Sequence, residues 1–107
     1  MKLLTKEIEN KLAKSVGNAE IDKPHLKLFN PTGMGVWLIS EYDAENRLFF
    51  GLCDLGFGSP ELGYVGLDEI LEVRLPLGLK IERDMYWEPT MTLSEYADKA
   101  RMEGYVC

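Results

Sequence analysis

The sequence predicts an α+β fold, in which about three α-helices flank a small antiparallel β-sheet. Two patterns favour it: apolar residues recur at helical spacing near both ends of the chain, and three apolar segments joined by short turns lie between them. The chain has 107 residues, a length typical of one domain and too short for a second core. We therefore expect a single domain over residues 1–107, with the helices covering one face of the sheet.

The first predicted element is a helix that begins after Thr5. The residues of its apolar face follow one another at four-residue intervals and are Leu4, Ile8, Leu12 and Val16. Thr5 belongs to the residue types that cap helix N-termini, and a Gly-Asn pair at 17–18 is typical of a helix end. The pattern predicts an amphipathic helix between these two signals.

Three strands are predicted after the helix, at residues 26–29, 36–42 and 48–53. The second segment is rich in β-branched and aromatic residues, and turn sequences at 30–33 and 43–46 separate the three. Because consecutive strands with short connections pair as neighbours, the segments predict an antiparallel meander.

The second half of the chain predicts two more strands and two more helices. Residues 51–66 hold five of the ten glycines and indicate a structured turn that passes into a strand at 62–65. A helix that opens at 66–69 has acids in its first turn, and a last strand at 79–83 follows it. The TLSE segment at 92–95 fits the capping box of a C-terminal helix.

The charge of the chain is acidic and unevenly distributed. Eighteen acids and twelve bases give a net charge of −6, and fourteen of the acids but only six of the bases follow residue 30. An acidic body lacks the positive charge that binds phosphate groups, which disfavours nucleic acids and anionic membranes as partners. No apolar run is long enough for a membrane span or a secretory signal, so we expect a cytoplasmic protein.

The histidine and the cysteines give little support to catalysis. His25 is the only histidine, and it lies at the start of a predicted strand, where a structural role is expected. Cys53 lies in an apolar strand, an environment that raises the pKa of a thiol. Cys53, Cys107, His25 and a carboxylate could together hold zinc, but no C-x-x-C or H-x-x-x-H pair supports such a site. Two cysteines alone do not define a pairing.

Asp54 and Glu61 border the glycine-rich turn. They could meet across it as hard oxygen ligands or as an acid–base pair. The alternative is that Asp54 forms the turn by binding local amides. The glycines lack the spacing of phosphate-binding loops, so we expect no cofactor and keep Asp54, Glu61, Cys53 and His25 as a candidate metal or turn site.

Acidic and aromatic residues lie close together in two segments, 41–43 and 84–88. Tyrosine and tryptophan are frequent hot spots of protein interfaces, and acids steer a basic partner towards its site. The predicted partner-binding residues are Glu41, Tyr42, Asp43, Asp84, Tyr86, Trp87 and Glu88. The alternative is that these aromatic residues belong to the core, as most do in a small domain.

Several segments resemble a bacterial and mobile-element family of small proteins of unknown function. The most specific is the block at 50–65, which reads FGLCDLGFGSPELGYV. The segments MKLLTK at 1–6, KLFNP at 27–31, IERD at 81–84 and TLSEY at 92–96 extend the resemblance over nearly the whole chain. The family has no established catalytic residues, so the resemblance implies none here.

Some small acidic type II-A anti-CRISPR proteins are similar to this family. That resemblance implies a non-enzymatic inhibitor, encoded by a mobile element, that binds an RNA-guided nuclease and blocks DNA recognition or cleavage. An acidic protein suits the positively charged channels of such nucleases, although the basic first helix departs from a DNA mimic. The alternatives are a small metal-dependent or hydrolytic protein that uses Asp54 and Glu61, and an interaction module of a plasmid-transfer complex.

Overall fold

The fold is built on one antiparallel sheet, and the computed structural model describes it over residues 2–18 and 22–106. The strands in this part of the chain are β1 (Leu26–Phe29), β2 (Val36–Asp43), β3 (Leu48–Asp54), β4 (Glu61–Gly66) and β5 (Glu82–Arg83). They lie in the order β4-β3-β2-β1-β5, and all neighbouring pairs are antiparallel. The predicted α+β class and the meander of β1, β2 and β3 are confirmed.

Three α-helices flank the sheet in the described part of the chain. They are α1 (Lys6–Lys14), α2 (Leu67–Leu71) and α3 (Leu93–Glu103). Thr5 caps α1, because its hydroxyl accepts a hydrogen bond from the Ile8 N–H at 3.2 Å. Thr92 and Glu95 form the predicted capping box of α3, in which each side chain accepts from the other residue's N–H. Val16, predicted for the apolar face of the first helix, lies beyond α1 and is exposed.

The predicted strand at 79–83 is wrong in length, since only its last two residues pair as β5. The Leu79 N–H donates to the Pro76 carbonyl at 3.3 Å, and the Leu79 carbonyl accepts from the Leu75 N–H at 3.0 Å. These bonds close a local turn and occupy the backbone groups that a strand would use.

The sheet is buried on both faces, so the prediction that the helices cover one face is wrong. On the first face, α1 and α2 pack over a cluster that includes Leu28, Ile39 and Phe49. On the second face, α3 packs over a cluster that includes Leu38 and Leu52. Because successive residues of a strand point to opposite faces, the adjacent Leu38 and Ile39 reach different clusters. Consecutive apolar residues in a central strand are typical of burial on both faces.

A β-bulge interrupts the pairing of β2 with β3. The register shifts between Ile39 and Glu41, so Ser40 is the extra residue. Gly51 lies opposite the bulge, and a Cβ atom there would overlap the backbone carbonyl of Leu38. The sheet can therefore make this close approach only with glycine at position 51. Ser40 is buried, and its Oγ has no hydrogen-bond partner among the described residues.

Candidate functional site

The segment at 84–88 follows β5 and forms an exposed turn. The Asp84 carboxylate accepts a hydrogen bond from the Tyr86 N–H at 3.0 Å, and the Asp84 N–H donates to the Lys27 carbonyl of β1 at 3.0 Å. These bonds fix the turn, and the Tyr86 side chain projects from it with 93% of its surface exposed. Glu88 is also exposed. This segment therefore presents an aromatic ring between acids at one edge of the sheet.

The segment at 41–43 has mainly structural contacts. Tyr42 is only 6% exposed and packs against Phe49, with ring centroids 5.1 Å apart. Burial also raises the pKa of the Tyr42 hydroxyl. The Asp43 carboxylate accepts from Asn46 and from the Glu45 N–H, and these hydrogen bonds close the β2–β3 hairpin and lower the pKa of Asp43. Because Tyr42 lies in the core, its position does not fit the predicted role of an exposed partner contact.

The two predicted binding segments do not form one surface. Tyr42 belongs to the cluster on the first face of the sheet, whereas Trp87 packs against the cluster on the second face. Trp87 is half-buried against Tyr96 of α3, with ring centroids 6.1 Å apart. Glu41 accepts from the Gly17 N–H at 3.3 Å, which ties β2 to the segment after α1.

Asp54 and Glu61 do not meet as the metal or acid–base interpretation requires. Asp54 is 4% exposed, and its two oxygens accept from the Gly56 N–H at 2.9 Å and from the Val106 N–H at 2.8 Å. Glu61 is exposed and lies opposite Cys53 in the register of β3 and β4, so it points to the face opposite to Asp54. Asp54 thus holds the turn, as the alternative interpretation predicts.

The remaining candidate ligands are also apart. Burial raises the pKa of the Cys53 thiol to about 11, which keeps it protonated and unreactive at neutral pH. Cys107 lies outside the described residues. Among residues 2–18 and 22–106, no three His, Cys, Asp or Glu side chains are close enough together to hold a metal ion.

His25 joins β1 to the end of α1. Its Nε2 lies 3.4 Å from the Oγ of the buried Ser15, and its backbone N–H donates to the Ile39 carbonyl at 2.9 Å. Burial, and then the charge of Lys11, lower the pKa of His25. The imidazole borders a shallow cleft of about 230 Å³ together with lysines of α1. These contacts fit the structural role expected for His25.

A group of exposed apolar side chains lies at the other edge of the sheet. Phe57 is 85% exposed in the glycine-rich turn between β3 and β4, and Leu55 in the same turn and Tyr64 of β4 are more than half exposed. Met34, also exposed, lies against this turn, because a Cβ atom on Gly56 would come within 2.5 Å of the Met34 Cβ. Large apolar side chains that are exposed together mark interaction surfaces.

An apolar groove of about 380 Å³ continues this surface between α2 and the outer strands. Its lining side chains include Trp37, Cys53, Leu55, Val65, Ile70 and Val73. Glu69 also borders it, and Glu61 at the start of β4 is paired with the lining residue Cys53 of β3. We call the set of Met34, Leu55, Phe57, Tyr64, Glu61 and Glu69 the β4 edge surface.

The apolar members of the β4 edge surface are not among the partner-binding residues predicted from the sequence. The sequence feature that indicates them is the segment Leu55-Gly56-Phe57-Gly58. In it, two large apolar residues alternate with glycines outside any strand or helix pattern. Gly56 and Gly58 both have positive φ angles, 87° and 79°. These angles lie in the left-handed region that glycine favours, and this backbone holds the two apolar side chains in the exposed turn.

Among the described residues, none of the helices combines the length and the apolar character needed to cross a lipid bilayer.

Comparisons with known proteins identify the family. Searches of the curated proteins and of the solved structures find no match to the chain. A family model described as "Protein of unknown function (DUF2958)" matches residues 3–107. Because the match covers nearly the whole chain, the chain belongs to the DUF2958 family.

Proposed function

We propose that this protein is a non-enzymatic inhibitor that acts by binding another protein with a basic surface. The observation that carries the proposal is the β4 edge surface, where Leu55, Phe57 and Tyr64 are exposed at the same edge of the sheet as the acidic Glu61. Aromatic and apolar side chains supply most of the binding energy in protein interfaces. The neighbouring acids speed the approach of a basic partner and select against an acidic one.

The partner that we propose is a type II RNA-guided nuclease, which the resemblance to anti-CRISPR proteins suggests. Such a nuclease holds its guide and target nucleic acids in positively charged channels. A net charge of −6 on 107 residues suits contact with a surface of that sign. An inhibitor of this kind, encoded by a mobile element, acts in the cytoplasm where the nuclease finds its target.

The turn at 84–88 supplies a second exposed contact in this proposal. Tyr86 projects from it between Asp84 and Glu88, and the half-buried Trp87 fixes the turn to α3. A fixed turn loses little conformational entropy on binding, so its exposed ring can contribute to affinity. Glu41, Tyr42 and Asp43 are not part of the proposed surface, because their contacts hold the fold together.

The test is a pull-down and a DNA cleavage assay with a purified type II nuclease and its guide RNA. We expect a complex with about one inhibitor per nuclease and loss of cleavage at that ratio. In the double variant Phe57→Ser, Tyr64→Ser, two hot-spot side chains are lost, so we expect binding to weaken by about 10- to 100-fold. Met102→Ser is the matched control, because Met102 is equally exposed but lies on α3.

Absence of binding, with undiminished cleavage at molar excess of the protein, would contradict the nuclease assignment. Co-purification from the host then shows whether a different protein is bound, such as a component of a plasmid-transfer complex. If the double variant captured that protein as well as the unchanged chain does, the assignment of the β4 edge surface would be wrong.

A further inference from the structure

We propose that β4 binds the partner by strand addition, with an extended basic segment of the partner pairing along its free edge. The proposal rests on the proposed function, because it requires a protein partner. It goes further by naming the backbone groups that bind and the chemistry of the segment that they bind.

The hydrogen-bond pattern shows which groups of β4 face outwards. The Leu67 N–H donates to the Arg47 carbonyl at 2.9 Å, and this pair continues the register of β4 with β3. Hydrogen-bonded pairs alternate along an antiparallel ladder, so Val65 and Gly63 bond to β3, whereas the backbone groups of Tyr64 and Leu62 point away from it. No hydrogen bond to these outward groups is formed within residues 2–18 and 22–106.

The edge of β4 lacks the features that usually prevent pairing. Proteins protect edge strands by making them very short, by charged side chains, especially lysine, by proline, or by a bulge. The opposite edge strand, β5, has only two residues, whereas β4 has six, contains neither lysine nor proline, and has its one charged residue, Glu61, at its first position. Its pairing with β3 is regular over all six residues. The Gly66 N–H is satisfied by the Glu69 carboxylate at 3.2 Å, which limits the open edge to the residues before it.

The surroundings of β4 define the side chains of the added strand. On one face of the sheet the added strand would border the apolar groove beside Val65, and on the other face it would lie beside the Tyr64 ring, which packs on Phe50 at 5.0 Å between centroids. Gly63 leaves room for a neighbouring side chain, because no heavy atom lies within 4 Å of a Cβ atom built there. A segment with apolar residues at alternate positions fits this edge.

Charge identifies the segment as basic and disfavours a second copy of this chain. Glu61 is the first residue of β4 and Glu69 lies in α2 just after the strand, and both are exposed. Two copies paired through β4 would bring these acids together, and each copy has a net charge of −6. Lysine or arginine residues in the added strand instead form favourable pairs across the edge.

The experiment measures amide hydrogen exchange of the full chain by NMR, with a nine-residue peptide of alternating lysine and valine as the probe. We expect the exchange of the Leu62 and Tyr64 amides to slow at least tenfold at saturating peptide. The Gly63 and Val65 amides already bond to β3 and should change little. A peptide with glutamate in place of lysine is the charge control, and we expect no protection from it.

Two variants of one residue separate strand pairing from side-chain contact. Tyr64→Ala removes the ring and keeps the outward N–H. Tyr64→Pro removes both, and the sheet tolerates proline at this position because the N–H of residue 64 makes no hydrogen bond to β3. We expect the lysine–valine peptide to bind Tyr64→Pro at least tenfold more weakly than Tyr64→Ala, with thermal unfolding used to check that both fold. Equal binding, or no protection of the two amides at millimolar peptide, would overturn strand addition.

The nuclease complex distinguishes failure of this inference from failure of the proposed function. If the nuclease binds the unchanged chain and Tyr64→Pro equally well, strand addition is wrong while the inhibitor proposal stands. If the nuclease binds neither but the peptide protects Leu62 and Tyr64, the nuclease assignment is wrong while the docking strand stands. Protection that appears without peptide and grows with protein concentration would assign the edge to a second copy and overturn a basic partner.

Discussion

Replacement of Gly51 by alanine is expected to destabilise this protein strongly, whereas the same change at Gly63 is not. The two glycines lie directly opposite each other in the register of β3 and β4. A Cβ atom at position 51 would overlap the Leu38 carbonyl and lie 2.9 Å from the Ile39 Cα, both of which are backbone atoms. A Cβ atom at position 63 meets nothing within 4 Å. The pair therefore separates the close approach at the bulge from the general effect of glycine in a strand.

The magnitude follows from two opposing effects. Overpacking costs about 1–3 kcal/mol, and the upper end applies here because the neighbours of Gly51 are backbone atoms of a paired strand. Alanine recovers about 0.5–1 kcal/mol relative to glycine in a strand. Gly51→Ala should thus lower the free energy of unfolding by about 2–2.5 kcal/mol. In a domain of this length that loss lowers the melting temperature by about 10–20 °C.

Urea and thermal unfolding, followed by circular dichroism, measure the effect. Gly63→Ala should unfold at the same temperature as the unchanged chain or slightly above it, since it gains the strand preference without an overlap. If Gly51→Ala were as stable as Gly63→Ala, the close approach of β3 to the bulge of β2 would be refuted.

Four further predictions concern single side chains. Ser40→Ala should raise the free energy of unfolding by about 1 kcal/mol in urea titrations, because it removes a buried hydroxyl without a partner among the described residues. In a chain with Cys107→Ser, iodoacetamide should modify Cys53 about a hundredfold more slowly than in the urea-unfolded chain, because burial raises its pKa to about 11. Burial lowers the pKa of His25 in the folded state, so the unfolded chain takes up the proton first as the pH falls below about 6.5. Stability should therefore fall from pH 7 to pH 5, and less so in His25→Gln. Asp54→Asn should cost about 1.5–3 kcal/mol in the same titrations, since an amide can accept only one of the two N–H groups that the carboxylate binds.

The elements of the fold could be predicted because their signals are local. Capping residues such as Thr5 and Thr92, and turn sequences between apolar segments, depend only on neighbours in the chain. The arrangement of the helices on two faces could not be predicted in the same way. It depends on which cluster each side chain of β2 joins, and a run such as Trp37-Leu38-Ile39 fits a strand buried on one face with a bulge or on both faces.

The candidate site was harder to predict, because exposure is a property of tertiary packing. Tyr42 and Tyr86 both have an acidic residue within two positions on either side, yet Tyr42 is in the core and the Tyr86 side chain is almost fully exposed. The difference arises because α1 packs over the cluster that contains Tyr42, while in the turn after β5 it is Trp87 that packs on α3 and Tyr86 that remains exposed. Acidic neighbours therefore indicate the charge of a surface but not whether an aromatic residue belongs to it.

The two exposed surfaces lie at opposite edges of the sheet, which restricts how one partner can use both. The β4 edge surface adjoins the first strand in the sheet order, and the turn at 84–88 follows the last. Neighbouring strands are about 4.8 Å apart, so the two outer strands are separated by about 19 Å. A standard interface of about 800 Å² per partner spans that distance only if the partner crosses a face of the sheet. Both faces carry helices, so the segment that pairs with β4 does not itself reach Tyr86, and the partner must contact Tyr86 through a different part. If strand addition is correct, Tyr86→Ala should bind the lysine–valine peptide as the unchanged chain does, whereas Phe57→Ala should not.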